Sequence, residues 1–156
     1  QKNLKFEIIG YMDSSIQDYL NREMKNLEIN IQGYLPHSEA IQQMSEADLL
    51  VLAIGKGKQS KNVISTKIFE YLMVGKPVLA FGHPEGSANK VLKETNAGVM
   101  FSYQAYEEVR DYLIEQINNW KNNTPNYNPD EKKIKKYSFE NLTQKLSNVL
   151  EDCLNN

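Results

Sequence analysis

Five short apolar runs, each followed by a helical pattern, constrain the fold of this chain more than any other feature. The runs cover residues 6–9, 29–31, 49–53, 78–81 and 98–101. Five strand–helix repeats predict βαβ crossovers and an α/β fold with a doubly wound, mostly parallel, Rossmann-like sheet. The run 49–53 contains no polar residue, which predicts a central strand covered on both faces.

The helical segments are bounded by recognisable end signals. Gly75 and Pro77 stop one helix before the next strand begins, and Ser38 and Ser87 are expected to cap two others. The Asn/Pro-rich stretch 122–129 predicts a connector. The predicted helices cover residues 16–25, 38–44, 65–74, 87–94, 105–120 and 139–154.

Length and composition limit the classes of protein that this chain can belong to. Its 156 residues suit one domain, and a content of 40% hydrophobic and 24% charged residues is typical of globular proteins. The net charge of −2 gives no basic surface for nucleic acid. The single cysteine, Cys153, excludes internal disulfides and, with two histidines, gives no metal site. No signal peptide or run of ~20 apolar residues is present, so we expect a cytoplasmic protein.

The basic loop 55–62 is the first candidate binding segment. Ligands of open parallel sheets bind beyond the carboxyl ends of the strands, where this loop lies. Its two glycines allow close approach to a ligand, and the backbone amides of Ser65, Thr66 and Lys67 at the next helix start predict a phosphate site. The spacing is not that of a Walker A loop. The alternative is a flexible, solvated loop.

Glu70 is the second candidate, because it is the only carboxylate in the apolar helix segment 65–74. One turn from the helix start, it is placed to accept hydrogen bonds from sugar hydroxyls, as carboxylates do for ribose in nucleotide-binding folds. The alternative is an exposed side chain paired with Lys67, a contact worth a few tenths of a kcal/mol.

The segment 33–37 is the third candidate. It follows a strand and would frame a planar base with its backbone, near Tyr34 or His37. The alternative is an ordinary βα turn set by Pro36. His83, in the loop after the fourth run, is expected to be a turn residue.

Residues 29–101 resemble the C-terminal domain of the retaining GT-B glycosyltransferase family that includes sucrose synthase and many bacterial polysaccharide enzymes. The resemblance rests on GYLPHSEAIQQMSEADLLVLAIG, on VISTKIFEYLMVGKPVLAF and on the return at Gly98. The most specific part is STKIFEYLMVGKPVLA, and the segment 137–139 before the last helix is also similar. The resemblance implies one half of a GT-B fold, with residues 1–156 forming a single, partial nucleotide-sugar-binding domain.

The resemblance also implies roles for individual residues. Glu70 matches the family's acid for the ribose hydroxyls. Tyr34 and Leu35 match the segment that lines the base. Thr66 and Lys67 lie where the family binds the diphosphate.

One position departs from the family's pattern. Asn62 stands where the family has an acid that contacts the donor sugar, which leaves the identity of the sugar open. Lys58 or Lys61 would supplement a basic pair that the family carries further upstream. No catalytic residue is assigned.

The function implied is transfer of a hexose-type sugar from a UDP- or GDP-linked donor to a glycan or lipid-linked acceptor, in bacterial surface polysaccharide synthesis and without a metal. Two alternatives stay open: the equivalent half of a sugar-nucleotide 2-epimerase, and a non-catalytic α/β interaction domain. A receiver domain is disfavoured because Ala53-Ile54-Gly55 follows the third run, where a receiver needs an aspartate.

The family's C-terminal domain opens with a βα unit that the sequence does not show, and its acceptor domain lies further upstream. In the strand order 3-2-1-4-5-6 the absent strand would be central and would leave edges unpaired. We therefore expect the chain to dimerise, or to fill the gap with its own N-terminal residues. Contact with a membrane is expected only through the acceptor half.

Overall fold

The computed structural model describes residues 4–154 and divides the chain into two compact units. The first unit ends at Gln43 and the second begins at Met44. All five strands run parallel within their sheets, and the helices follow the strands in βαβ order. The predicted α/β, Rossmann-like fold class is therefore confirmed.

The first unit is a single βαβ repeat followed by the start of another helix. Residues of β1 and β2 pair from Lys5 with Glu28 to Ile9 with Gln32. Asp13 caps the first helix by accepting a hydrogen bond from the Ser15 amide at 2.9 Å. No residue from 4 to 43 is fully buried. The elements are β1 (Lys5–Ile9), α1 (Ser14–Glu23), β2 (Glu28–Gln32) and α2 (His37–Glu46), whose last residues pass the boundary between the units.

The second unit contains a three-stranded sheet with the order β3-β4-β5. Its elements are β3 (Leu50–Ala53), a short 3₁₀ helix (Lys58–Asn62), α3 (Thr66–Val74), β4 (Val78–Phe81), α4 (Ser87–Thr95), β5 (Gly98–Phe101), α5 (Tyr106–Lys121), α6 (Glu131–Lys135) and α7 (Phe139–Leu154). Strand β4 is central, and Val78, Leu79 and Ala80 are buried on both of its faces. Ile68 of α3 and Leu92 of α4 are completely buried and belong to the same hydrophobic core.

The sheet differs from its prediction in one respect. The run 49–53 predicts a central strand covered on both faces, but β3 lies at an edge of its sheet and the Val51 side chain is 48% exposed. Among residues 4–154, β3 pairs only with β4, and the Tyr71 hydroxyl donates to the Val51 carbonyl at 3.2 Å. The strands form two sheets, with β1 and β2 in the other, which agrees with the expectation that an absent central strand leaves strand edges unpaired.

Several helix ends also differ from their prediction. Helix α2 begins at His37, so Ser38 is not its cap. Helix α4 begins at Ser87 itself, with Gly86 as the N-cap. The loop 55–62 contains a 3₁₀ helix, and α6 follows the predicted connector.

The segment around α6 is attached to α4 by a tyrosine–glutamate hydrogen bond. The Tyr137 hydroxyl donates to Oε2 of Glu94 at 2.6 Å, and Nζ of Lys136 lies 3.2 Å from Oε1 of the same carboxylate. Burial, followed by the Glu94 contact, raises the pKa of Tyr137 to about 12. The hydrogen bond from Tyr137, followed by that from Lys136, lowers the pKa of Glu94.

The Tyr137–Glu94 pair predicts a pH-dependent contribution to stability. The raised tyrosine pKa stabilises the fold below pH 10.0, and this contribution is lost as the pH rises towards about 12. The lowered carboxyl pKa stabilises the fold above pH 4.5, and this contribution is lost as the pH falls. We expect Tyr137→Phe to lower the melting temperature most between pH 4.5 and pH 10.0, and least at strongly acidic or strongly alkaline pH. A series of thermal melts that gives a constant difference at all pH values would contradict this.

Candidate functional site

The carboxyl ends of the strands in the second unit are joined by an aromatic cluster. The Tyr103 hydroxyl, just beyond β5, donates to the Ile54 carbonyl at 2.7 Å. The Tyr103 ring stacks on Phe81 with centroids 5.9 Å apart, and Nζ of Lys56 lies 4.6 Å from the centre of the same ring. The ends of β3, β4 and β5 are thereby held together, with a cation fixed beside them.

The loop 55–62 is folded onto the loop that follows β4. Within the 3₁₀ helix, the Ser60 hydroxyl donates to the carbonyls of Gly55 and Gly57. Nε2 of His83 lies 3.2 Å from the Gly57 carbonyl oxygen, as expected of a residue that supports a turn. Nζ of Lys61 lies 3.1 Å from a Glu85 oxygen. These contacts fold the segment onto its neighbouring loop, and most of its side chains are exposed.

Gly86 is a point of close approach between these two loops. A Cβ atom at this position would lie 2.9 Å from the carbonyl oxygens of both His83 and Lys61. The backbone of Gly86 has φ −80° and ψ 166°, which any residue adopts, so glycine is required by space and not by conformation. The start of α4 is therefore packed directly against the end of the 3₁₀ helix.

We expect Gly86→Ala to separate the 3₁₀ helix from α4. Two backbone carbonyls would have to move, which costs about 1–3 kcal/mol by analogy with overpacked cores. Hydrogen exchange of the Ser60 amide, which donates to the Gly57 carbonyl at 2.9 Å, would become faster. Gly57→Ala is the matched control, because a Cβ there meets nothing within 4 Å. Equal exchange in the two variants would contradict the role of Gly86.

The start of α3 has free backbone donors. Ser65 is the N-cap in an extended conformation, but its side chain makes no capping hydrogen bond. Within residues 4–154, no group accepts from the amides of Thr66 or Lys67, and both residues are exposed. These unpaired N–H groups lie at the positive end of the helix dipole, the position at which helices favour negative charge.

Glu70 lies one turn further along α3 and is half-buried. Its carboxylate makes no hydrogen bond or ion pair with any residue from 4 to 154, so the alternative pairing with Lys67 is not formed. After burial, the negative charge of Glu70 is the next cause of the raised pKa of Tyr71. Glu70 therefore lies one helical turn beyond the free amides and has no hydrogen bond or ion pair with the described residues.

The other predicted site residues are less closely grouped. Asn62 ends the 3₁₀ helix and is exposed, and Lys58 begins it. Lys61 is engaged with Glu85, as described above. Tyr34 and Leu35 belong to the first unit, between β2 and α2, where Tyr34 is 86% exposed and Leu35 is half-buried.

Sequence reasoning placed the loop that contains Lys56 at this edge but missed Tyr103 and its contact with Lys56. Tyr103 follows the fifth strand by two residues, and its position at a carboxyl end was the available signal. Its hydrogen bond to Ile54 spans 49 residues of sequence, so no local pattern indicates it.

No group of three or more His, Cys, Asp or Glu side chains in residues 4–154 is arranged to hold a metal ion. In the same residues, no helix combines the length and the apolar character needed to cross a membrane.

Comparison of the chain with models of protein families, with curated proteins and with solved structures gives no match. The features of this chain that point to a function are therefore the carboxyl ends of its strands and the sequence motif of α3.

Proposed function

We propose that this chain is the donor-binding part of a retaining glycosyltransferase of the GT-B type, which takes a hexose-type sugar from a UDP- or GDP-linked donor. The observation that carries the proposal is the start of α3. Free amides at Thr66 and Lys67 are followed, one turn later, by the half-buried and unpaired Glu70.

The spacing on α3 suits a nucleoside diphosphate. Thr66 and Glu70 are four residues apart, so their Cβ atoms lie about 5–6 Å from each other on one face of the helix. A diphosphate at the amides would therefore place the adjoining ribose near the carboxylate. The two oxygens of Glu70 would accept hydrogen bonds from the 2′- and 3′-hydroxyls, as acidic residues do in nucleotide-binding folds.

Transfer of the sugar requires stabilisation of the leaving diphosphate. The helix amides supply part of this, because they are fixed before the reaction and point at the developing charge. Lys61 would add a cation. Its exposed ion pair with Glu85 is worth at most about 1 kcal/mol, so exchange of Glu85 for a phosphate costs little.

The remaining parts of the proposal concern the sugar, the base and the acceptor. Asn62 would contact the sugar as a neutral acceptor or donor, and Tyr34 and Leu35 would line the base. A separate domain would bind a glycan or lipid-linked acceptor, and the reaction would belong to the cytoplasmic assembly of bacterial surface polysaccharide.

Calorimetric titration with UDP, GDP and ADP tests this function, with the matching monophosphate as a control. We expect saturable binding of one diphosphate and weaker binding of its monophosphate, since the free amides face the phosphates. No binding to any nucleotide, by this chain or by one extended upstream, would favour the interaction domain. A 2-epimerase would bind UDP as well, but would change the configuration of a UDP-sugar at C2 without an acceptor.

A further inference from the structure

Lys56 is a cation that the fold holds in place without a carboxylate partner. Its ammonium nitrogen lies 4.6 Å from the centre of the Tyr103 ring. Within residues 4–154, no aspartate or glutamate forms an ion pair with it, whereas Lys61 of the same loop is paired with Glu85. The face of an aromatic ring attracts a cation but does not neutralise its charge. Lys56 therefore presents a positive charge beside the carboxyl ends of the strands.

The main chain of Lys56 is fixed on both sides. The Ser60 hydroxyl is within hydrogen-bond distance of the carbonyl oxygens of Gly55 and Gly57, which flank Lys56. The Gly57 oxygen also lies 3.2 Å from Nε2 of His83. A lysine whose main chain and ammonium group are both held loses less conformational entropy on binding than a mobile surface lysine does.

The Tyr103 ring is itself held by the ends of the neighbouring strands. Its hydroxyl donates to the Ile54 carbonyl at 2.7 Å, and the ring stacks on Phe81 with centroids 5.9 Å apart. Ile54 follows β3, Phe81 ends β4, and Tyr103 follows β5 by two residues. The position of the Lys56 ammonium group is thus set by all three strands of the second unit.

The free amides at the start of α3 lie at the same edge of this sheet. In a βαβ crossover the helix begins beyond the carboxyl end of the preceding strand, so α3 begins at the edge where β3, β4 and β5 end. Neighbouring strands lie about 4.8 Å apart, so the edge of a three-stranded sheet is only about 10 Å wide. One ligand can therefore contact both the helix start and Lys56.

The order of the groups along α3 decides which part of a nucleotide faces Lys56. In the proposed function, Glu70 holds the ribose, and the amides of Thr66 and Lys67 hold the phosphate next to it. A second phosphate then lies on the far side of these amides from Glu70, towards the loop that precedes the helix. The ammonium group of a lysine is a compact point charge that suits a phosphate oxygen.

We propose that Lys56 binds the distal phosphate of a nucleoside diphosphate at this edge, and that Tyr103 is the positioning residue that holds its ammonium group there. The inference rests on the proposed function, because Glu70 and the α3 amides define where the first phosphate lies. It adds that Lys56 is the source of the preference for a diphosphate over a monophosphate. In a nucleotide sugar, the distal phosphate is the one that carries the sugar, so Lys56 would lie against the leaving group.

Calorimetric titration of the 156-residue chain with UDP and UMP, and with GDP and GMP, tests the role of Lys56. We expect Lys56→Gln to weaken binding of the diphosphate about tenfold, as for the loss of one hydrogen bond to a charged group. Binding of the monophosphate should not change. An unchanged affinity for the diphosphate, or equal losses for both nucleotides, would overturn this inference alone. If neither diphosphate binds to the unchanged chain or to one extended upstream, the proposed function fails together with this inference.

Lys121→Gln is the matched control for the loss of charge. Lys121 is the exposed last residue of α5. This helix runs away from the carboxyl edge, since its residue Gln116 borders the same small cavity as Pro77 and Gly98, which lie at the amino ends of β4 and β5. The variant should bind every nucleotide as the unchanged chain does. A tenfold loss in this variant as well would reduce the effect of Lys56 to net charge and overturn the inference.

The role of Tyr103 is tested through its dependence on Lys56. Tyr103→Leu removes the ring and should weaken diphosphate binding several-fold, whereas Tyr103→Phe keeps the ring and should retain the affinity. In a chain that already carries Lys56→Gln, Tyr103→Leu should have no further effect, because the ring acts through the ammonium group. Thermal melts check that each variant is folded at the temperature of the titration. An equal loss from Tyr103→Leu with and without Lys56 would show a structural role and overturn the positioning role.

Discussion

Gly98→Ala is expected to destabilise the second unit more than the addition of a methyl group at any other glycine of that unit. Gly98 opens β5 opposite Val78 of the central strand. A Cβ on Gly98 would lie 2.1 Å from the carbonyl oxygen of Val78 and 2.8 Å from the Cβ of Val78. The Val78 side chain is completely buried, so it has no space into which to move.

The size of this effect follows from two costs. Overpacking a core costs about 1–3 kcal/mol, and each backbone hydrogen bond lost from the ladder costs a further 0.5–1.5 kcal/mol or so. The bond at risk is that from the Val78 amide to the Ala97 carbonyl, at 3.0 Å. We therefore expect Gly98→Ala to lower the free energy of unfolding by about 3 kcal/mol or more.

Urea unfolding followed by circular dichroism measures the difference. Gly57→Ala is the matched control, since its backbone is extended at φ −64° and ψ 151°, with nothing within 4 Å of an added Cβ. The control should change the free energy of unfolding by no more than about 0.5 kcal/mol. If both variants unfold at the same urea concentration, β4 and β5 do not approach each other as described.

The elements best predicted from sequence are those whose ends are fixed by local chemistry. The bounds of β4 agree with the prediction because Gly75 takes a left-handed conformation at φ 73° to end α3, and Pro77 starts the next extended segment. The bounds of β5 and α7 also agree. Local sequence signals were therefore sufficient to predict an element when the residues that flank it fix its ends.

The differences arise where a distant part of the chain decides. An apolar run such as that of β3 reports on the surroundings of side chains and not on pairing partners, so its edge position was indicated only by the absent βα unit and not by the run itself. Ser87 was a better N-cap than Gly86 by propensity. Only glycine fits at 86, however, because the Lys61 carbonyl lies against it, and this contact is between segments 25 residues apart.

The candidate site was predictable in part for the same reason. The group Ser65, Thr66, Lys67 and Glu70 lies on one helix, so its arrangement follows from helical geometry once the helix start is known. Tyr103 and Lys56 are joined by contacts between separate loops, which required the folded structure. The absence of a Lys67–Glu70 ion pair also depended on side-chain conformation, which sequence spacing leaves open.

Replacing Glu70 is expected to have the largest effect on nucleotide binding. If its carboxylate holds the ribose, Glu70→Ala removes two charge-assisted hydrogen bonds and should weaken binding by about 1–3 kcal/mol, roughly five- to 150-fold. Glu70→Gln keeps the shape and one acceptor, so a smaller loss is expected. Glu108→Gln, on the exposed first turn of α5, is the control and should bind as the unchanged chain does.

A substrate that lacks the 2′-hydroxyl separates ribose binding from a structural role for Glu70. The unchanged chain should bind the ribonucleoside diphosphate more tightly than its 2′-deoxy form, and Glu70→Ala should bind the two equally. Because Glu70 has no hydrogen-bonded partner in the described residues, its removal should change the free energy of unfolding by no more than about 0.5 kcal/mol. If Glu70→Ala keeps the full preference for the ribonucleoside diphosphate over its 2′-deoxy form, the ribose does not bind at Glu70. If Glu70→Ala lowers both the free energy of unfolding and the affinity for nucleotide, Glu70 has a structural role. Binding of an anion at Thr66 and Lys67 would then have to be tested alone.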